Sequence, residues 1–232
     1  MKYIHKNPEP IGLSQYKQTP NASYMGLRKK KALYRAVKLS LAQEQGFICC
    51  YCGRRISGAS SDTQIEHLYA KGTPVYEEMQ LDYETNLLAC CDGGKQERSG
   101  GAIRKEDLFC ESLKGNTILP VNPLCVECEN KFLFSDDGEV IGVSKDAEVT
   151  IKILNLNSPV IKNMRKYAID NYALYPITDW QAELDRLANK NSDGQYEEFC
   201  FETIHRNLSC FRIKTSCNGI TIKQTLINYL KK

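Results

Sequence analysis

The chain lacks any apolar run long enough to cross a membrane. A membrane-spanning helix needs about 20 consecutive apolar residues, and no such run occurs among the 232 residues. The first ten residues, MKYIHKNPEP, are basic and then polar, without the apolar stretch of a secretory signal. We therefore expect a cytoplasmic protein in a reducing compartment, where a framework of disulfides does not form.

The chain also has little excess charge of either sign. Its 31 basic and 28 acidic residues leave a net charge of +3, well short of the strongly basic composition of many nucleic-acid-binding domains. The bases are unevenly placed, because residues 1–40 contain nine of them and one acid, whereas the rest contains 22 bases and 27 acids. This basic segment has two interpretations, a solvated surface or a segment that follows a phosphate backbone.

Histidine is scarce, with three residues, but cysteine is abundant, with 11. The odd number excludes complete pairing in disulfides. Cysteines in such a chain serve as metal ligands, reactive groups or small buried residues, and their positions decide between these uses. They stand at positions 49, 50, 52, 90, 91, 110, 125, 128, 200, 210 and 217.

Apolar periodicity predicts an α+β chain. Residues 1–25 are rich in proline and predict an irregular arm, whereas apolar residues at every fourth position predict one helix over residues 26–44. Asp137-Gly138 is a turn signal for a β-hairpin over residues 131–143. The four predicted parts are a basic arm and helix (1–46), a core of short strands, loops and cysteines (47–120), a hairpin extension (121–147) and a helical C-terminal region (148–232).

The first motif with chemical meaning is a Cys-x-x-Cys pair formed by Cys49 and Cys52. This spacing suits a redox pair or half of a tetrahedral zinc site. A redox pair of the thioredoxin type is followed by a helix, whereas this pair is followed by Arg54-Arg55 and a turn rich in serine and glycine, which favours zinc. The residues that could supply the other half are Cys90 or Cys91, Cys110, Cys125 and Cys128.

A second motif, Glu66-His67, lies between the cysteines and is followed by Asn86 in the segment Asn-Leu-Leu. A neutral imidazole suits the deprotonation of water, because its unperturbed pKa is about 6.5. Glu66 and Glu111 offer hard oxygen ligands to Mg²⁺ or Mn²⁺. Alone, an acid–histidine pair occurs often by chance; its place between two sets of cysteines favours catalysis.

The order of these motifs over residues 49–116 resembles that of HNH endonucleases of the ββα-metal, zinc-containing type. It runs from Cys-x-x-Cys through acid–His and Asn-Leu-Leu to Cys-x-x-x-Lys-Gly. Within that family the chain is most similar to the PtuB-like HNH subunit of Septu anti-phage systems, some of which act as effectors of retrons. The start MKYIHK, the segment IEHLYAKG, the predicted hairpin and the helical C-terminal region support this narrower likeness.

The resemblance implies a role for each of these residues. His67 would be the general base, Glu66 a ligand of a catalytic Mg²⁺ or Mn²⁺, and Asn86 the residue that orients the imidazole and its hairpin. Glu111 stands where the family often has histidine or asparagine, so a carboxylate would replace a neutral ligand there. For catalysis, the ring of His67 must border a groove.

The resemblance also implies a structural zinc ion. Its ligands would be Cys49, Cys52, Cys91 and Cys110, with Cys90 as the alternative to Cys91. An HNH enzyme usually has a second Cys-x-x-Cys pair, which in this chain is opened by 18 residues between Cys91 and Cys110. A loop of that length closes at little extra entropic cost.

Partners follow from the same resemblance. We expect nucleic acid, DNA or RNA, as substrate, with Lys71 and Lys114 as candidate phosphate contacts. An ABC/SMC-like ATPase subunit (PtuA-like) would act with the nuclease, and a retron reverse transcriptase with its msDNA is a further expected partner. We expect residues 148–232 to form the docking surface for the ATPase. The alternative is a non-catalytic zinc-ribbon module that recruits nucleic acid or protein.

Overall fold

The computed structural model describes residues 1–59, 61–95, 104–135, 137–173 and 180–196. Within these ranges the α-helices are α1 (Ile11–Lys17), α2 (Tyr24–Lys29), α3 (Lys31–Glu44), α4 (Glu111–Lys114), α5 (Lys145–Leu154), α6 (Pro159–Ala173) and α7 (Trp180–Ala188). The strands are β1 (Thr63–His67), β2 (Leu87–Cys91), β3 (Phe132–Phe134) and β4 (Val140–Gly142). Short 3₁₀ helices cover Pro74–Leu81, Lys105–Asp107 and Val126–Asn130. The α+β class expected from the sequence is confirmed.

The centre of the fold is an antiparallel hairpin of β1 and β2. Thr63 pairs with Cys91 at one end of the hairpin, and His67 pairs with Leu87 at the other. Every residue of β2 is buried, as its apolar sequence Leu-Leu-Ala-Cys-Cys requires. Helix α3 packs on this hairpin and contributes Val37 and Leu41 to the core. The hairpin therefore forms a rigid platform for the residues at its two ends.

The N-terminal segment is folded into this core, so the prediction of an irregular arm over residues 1–25 was wrong. Met1 and Ile4 are buried, and the amide of Ile4 donates to the carbonyl oxygen of Pro123 at 2.9 Å. Pro10 immediately precedes α1, a position where the missing amide hydrogen of proline costs nothing. The segment has few apolar residues, but burial of residues such as Met1 and Ile4 in the core is enough to fold it against the rest of the chain.

The predicted helix over residues 26–44 is instead two helices that meet at Lys30. This residue leaves helical geometry with φ −84° and ψ 72°. The first helix begins at a serine cap, because Ser23 Oγ accepts a hydrogen bond from the amide of Gly26 at 3.1 Å. The break lets α2 and α3 turn their apolar sides, including Tyr24 and Leu27, towards different parts of the core.

The predicted hairpin over residues 131–143 is confirmed as the pair β3 and β4. Beyond it, α5 begins at a serine cap, Ser144. The apolar residues after Ser158-Pro159 predict a further helix, and α6 does begin at Pro159. Residues 179–190 predict another helix, capped by Asp179; this helix is α7, although Asp179 lies outside the described residues. The short helix that the sequence predicts over residues 221–231 also lies outside them. No helix in the described part of the chain is long and apolar enough to span a bilayer.

A buried carboxylate fastens the N-terminus to α3. Glu44 accepts hydrogen bonds from Lys6 Nζ, from the amide of Asn7 at 3.0 Å and from the hydroxyl of Tyr83 at 3.0 Å. Burial lowers the pKa of Lys6, while the charge of Glu44 opposes that shift. The charge of the buried Lys6 ammonium therefore depends on its pairing with Glu44.

Removal of this carboxylate should be costly. We expect Glu44→Ala to lower the free energy of unfolding by about 3–5 kcal/mol, because an unpaired ammonium remains in a buried site. The measurement is urea unfolding followed by circular dichroism. The control is Glu127→Ala at an exposed position, which should change stability by no more than about 0.5 kcal/mol. Equal effects of the two substitutions would contradict the expectation.

Candidate metal centre and active site

The Cys-x-x-Cys pair lies on a tight turn closed by a β-bridge between Ile48 and Arg55. Within the turn the amide of Cys49 donates to the carbonyl oxygen of Arg54 at 2.8 Å, and the amide of Gly53 donates back to Cys49 at 3.1 Å. Gly53 has a φ of +75°, a conformation that glycine adopts without steric cost. This geometry places two thiols on the same side of the turn.

Four buried thiols meet at the end of the β1–β2 hairpin. The Sγ atoms of Cys49, Cys52, Cys91 and Cys110 all lie within 4.8 Å of one another, and the Cys52 and Cys91 sulfurs are 3.8 Å apart. Their side chains come from the turn, from the last residue of β2 and from the residue before α4. The structure therefore brings together the four cysteines that the resemblance implied.

This group fits a tetrahedral metal ion such as zinc. Zinc–sulfur bonds of about 2.3 Å put the sulfurs of a tetrahedral site roughly 3.8 Å apart, close to the separation found. Burial raises the pKa of the Cys52 and Cys110 thiols well above the usual range. For Cys49, burial acts in the same direction, but hydrogen bonds with neighbouring thiols such as Cys110 outweigh it and hold the pKa well below its usual range. A bound cation would take the place of the protons that the other thiols hold.

Cys90, the alternative to Cys91, belongs to a different group. Its Sγ atom lies 3.5 Å from that of Cys49, and it forms a three-membered group with Cys49 and Cys50. The four-membered set with Cys52 and Cys110 contains Cys91 and not Cys90. Cys90 nevertheless lies next to Cys110 and Cys91, so the two groups adjoin each other and share Cys49.

The carboxylate of Glu66 is buried and already paired. Its Oε1 atom lies 2.9 Å from Lys114 Nζ and accepts a hydrogen bond from the hydroxyl of Tyr51 at 3.1 Å. Lys114 also donates to the carbonyl oxygen of His67 at 2.8 Å. Burial raises the pKa of Glu66, and the ammonium of Lys114 opposes that shift. Lys114 is therefore enclosed within the site and does not project from the surface to meet phosphate.

The two carboxylates do not fit a hard cation in this arrangement. Glu66 is paired with Lys114, and Glu111 is paired with Lys95 Nζ at 2.8 Å. In the described part of the chain, neither glutamate belongs to a group of three or more potential ligands within 4.8 Å of one another. The charge of Glu111 does reach Glu66, whose pKa it raises, so the two residues are neighbours.

The imidazole of His67 is fixed by a backbone carbonyl. Its Nε2 atom lies 3.1 Å from the carbonyl oxygen of Gln80. Because a carbonyl oxygen only accepts, Nε2 carries the proton in the neutral ring and Nδ1 has a free lone pair. Burial lowers the pKa of His67 to about 4, and the charge of Lys71 contributes in the same direction. The ring is therefore neutral at physiological pH.

The expectation that His67 borders a groove was wrong for this conformation. The residue is only 5% exposed. The ring of Tyr24 stands edge-on to the imidazole, with 4.5 Å between the ring centres and an angle of 85°. The amide of Tyr24 donates to Gln80 Oε1 at 2.9 Å, on the residue whose carbonyl oxygen holds His67. The first turn of α2 thus covers the imidazole.

Asn86 clamps the connection between β1 and β2. Its Oδ1 atom accepts from the amide of Tyr69 at 2.7 Å, and its Nδ2 atom donates to the carbonyl oxygens of Tyr69 at 3.2 Å and Met79 at 2.8 Å. Met79 precedes Gln80, which holds His67. Asn86 therefore holds the backbone beside the residue that binds His67, and none of its hydrogen bonds goes to the ring itself.

Sequence reasoning missed three contributors to this site. Tyr51 lies inside the Cys-x-x-Cys motif, so its position could have drawn attention to it. Gln80 acts through its carbonyl oxygen, which any residue would supply, and Tyr24 reaches His67 from a distant part of the sequence. Neither Gln80 nor Tyr24 gives a local signal in the sequence.

The cysteine cluster predicts a dependence of folding on metal. We expect Cys52→Ser to lose the bound zinc and to lower the melting temperature, because three sulfur ligands hold the ion less tightly than four and metal binding contributes to folding. The measurements are elemental analysis and thermal unfolding, and a chelator should reproduce the effect in the wild type. Cys125→Ser, at an exposed position, is the control and should retain the metal.

The buried imidazole predicts a pH effect. The folded-state pKa of about 4 lies below the ordinary value near 6.5, so the unfolded chain binds more protons between these two pH values. Falling pH through this window should therefore destabilise the fold by up to about 3 kcal/mol. The His67 Cε1–H resonance, followed by NMR, should shift only as the pH approaches about 4. A midpoint near 6.5 would contradict the burial of the ring.

Comparison with known proteins identifies no family for the chain. No protein-family model matches it, and a search of curated proteins finds no match.

Proposed function

We propose that the chain is an HNH-type endonuclease that hydrolyses phosphodiester bonds, with His67 as general base. One observation carries the proposal: a neutral imidazole is tied by Nε2 to the carbonyl oxygen of Gln80, on a loop clamped by Asn86. The hairpin that presents it ends at a four-thiol cluster suited to zinc. A small scaffold held in this way keeps a catalytic group in a defined orientation.

The tautomer supports the role of base. A lone pair on Nδ1 can accept a proton from water, and the Gln80 carbonyl then stabilises the imidazolium that forms. The low pKa reflects burial, and exposure of the ring to solvent would return it towards the ordinary value of about 6.5. A base with a pKa near the working pH is the most effective. The imidazole is therefore suited to catalysis when it is uncovered.

The expectation of a catalytic Mg²⁺ or Mn²⁺ rests only on the resemblance to HNH endonucleases. Such an ion would neutralise charge on the phosphate. With Lys114 paired to Glu66, the glutamates do not fit the ion as they stand, and no catalytic step is assigned to it. The assay below therefore includes Mg²⁺, Mn²⁺ and chelator.

A second candidate function is a non-catalytic zinc module that recruits nucleic acid or protein. The burial of His67 favours it, because a general base has to meet water. The Glu66–Lys114 pair and the clamp of Asn86 favour the nuclease, since a zinc-binding turn does not need them for metal ligation. The two functions differ in the fate of bound nucleic acid, which is cleaved in one case and retained intact in the other.

The partners remain proposals that rest on the resemblance to Septu systems. They are an ABC/SMC-like ATPase of the PtuA type and, in retron-associated systems, a reverse transcriptase with its msDNA. We propose that residues 148–232 dock the ATPase. Helices α5, α6 and α7 supply the described part of that region. The cleavage assay is therefore performed with and without such an ATPase.

Substitution of the proposed base gives the decisive test. We expect His67→Ala to lower the cleavage rate on DNA or RNA by about 10²–10⁴-fold, the usual contribution of a general base. Zinc content by elemental analysis should be unchanged, because His67 is not one of the four thiol ligands. His5→Ala, at an exposed position, is the matched control and should cleave like the wild type. Equal rates for His67→Ala and the wild type would refute the assignment.

A further inference from the structure

Tyr24 separates the imidazole of His67 from solvent. On one side its ring meets His67 edge-on, and the Nζ atom of Lys71 lies 4.9 Å from the centre of the same ring. The Tyr24 hydroxyl is 3.4 Å from that of Tyr34, a long contact. The tyrosine ring thus contacts both a buried imidazole and an exposed ammonium.

The helix that carries Tyr24 is anchored, but the tyrosine side chain has weak polar contacts. Leu27 of α2 is fully buried, and Ser23 is held at both its amide and its carbonyl oxygen by the hydroxyl of Tyr16. Among the described residues, the hydrogen bond of the Tyr24 side chain is the 3.4 Å approach to Tyr34. The ring is itself buried, at 4% exposure, so its rotation would give up apolar packing but would leave Leu27 and Ser23, which anchor α2, in place.

The surface outside Tyr24 is basic and free to bind an anion. Lys71 and Arg28 are exposed, and neither forms an ion pair with any residue in the described ranges. Both charges act on this site. Burial raises the pKa of Tyr24 and the charge of Arg28 opposes that shift, whereas burial lowers the pKa of His67 and the charge of Lys71 adds to that shift. Lys29 and Lys31 extend the exposed basic surface along the chain. A phosphate chain is the partner that suits such a surface.

We propose that Tyr24 is a gate over His67, held closed in part by Lys71, and that nucleic-acid phosphate bound by Lys71 and Arg28 opens it. An ammonium that pairs with phosphate leaves the face of the tyrosine ring, so the closed position loses one of its contacts. The bound phosphate has access to the imidazole only when the ring has moved. The phosphate thus binds the open state more tightly than the closed state and shifts the equilibrium towards the open state.

The purpose of the gate rests on the proposed nuclease function, but the gate itself can be tested without a cleavage assay. Diethyl pyrocarbonate acylates neutral imidazoles, and mass spectrometry of the peptide that contains His67 gives the rate at that residue. We expect Tyr24→Ala to raise this rate roughly 3- to 10-fold, the population change that the loss of one edge-to-face aromatic pair produces. Tyr24→Phe keeps the ring and should modify like the wild type.

The response to phosphate is tested by NMR on the full chain with a short single-stranded oligonucleotide as probe. The His67 Cε1–H resonance should move in the wild type, because the tyrosine ring leaves the imidazole. It should not move in Arg28→Gln/Lys71→Gln. Lys145→Gln/Lys152→Gln removes the same charge from exposed positions on α5, and this control should respond like the wild type.

The outcomes separate the gate from the nuclease. A Tyr24→Ala modification rate within about twofold of the wild type overturns the gate. An equal response of Arg28→Gln/Lys71→Gln and Lys145→Gln/Lys152→Gln to the oligonucleotide overturns it too. Equal cleavage by His67→Ala and the wild type, together with faster modification in Tyr24→Ala, rejects the nuclease and retains the gate. Where both proposals hold, Tyr24→Ala also cleaves roughly 3- to 10-fold faster, since less time is spent closed.

Discussion

The meeting of four thiols is the constraint on which the rest of this fold depends. The thiols come from three segments, and the segment between Cys91 and Cys110 has little secondary structure among its described residues. Cys110 has a φ of +52°, a strained value for a residue with a side chain. Its amide is fixed to the carbonyl oxygen of Leu154 at 2.8 Å. A metal ion in the cluster would hold these three segments together within the core.

The same cluster determines where the acid, the histidine and the lysine lie. The β1–β2 register pairs Thr63 with Cys91, so the anchored end of β2 sets the position of the far end of β1 at His67. Cys110 immediately precedes α4, and Lys114 is the last residue of that four-residue helix. One helical turn therefore carries the ammonium from the cluster to Glu66.

Burial gives the site its electrostatic character. Glu66 and Lys114 are both removed from water, and each makes the other tolerable there, since an unpaired buried charge is costly. His67 meets the same condition by remaining neutral, with its one proton donated to a backbone carbonyl oxygen. The site thus combines a paired acid and base with an uncharged imidazole. In the proposed nuclease mechanism, the imidazole would act as a base only where water reaches Nδ1.

Local chemistry in the sequence determined the motifs and much of the secondary structure. The turn that carries Cys49 and Cys52, the β3–β4 hairpin with its Asp137-Gly138 turn and the start of α6 at Pro159 follow from residue types a few positions apart. The membership of Cys91 and Cys110 in one thiol group was expected only from the resemblance to zinc-containing HNH endonucleases. Only the tertiary structure decided that Tyr24 covers His67, that Lys114 turns inwards to Glu66 and that the first 25 residues are packed. Those outcomes depend on contacts between residues far apart in the chain. Such contacts contribute free energy only once the core has formed, so they leave no periodic pattern in the sequence.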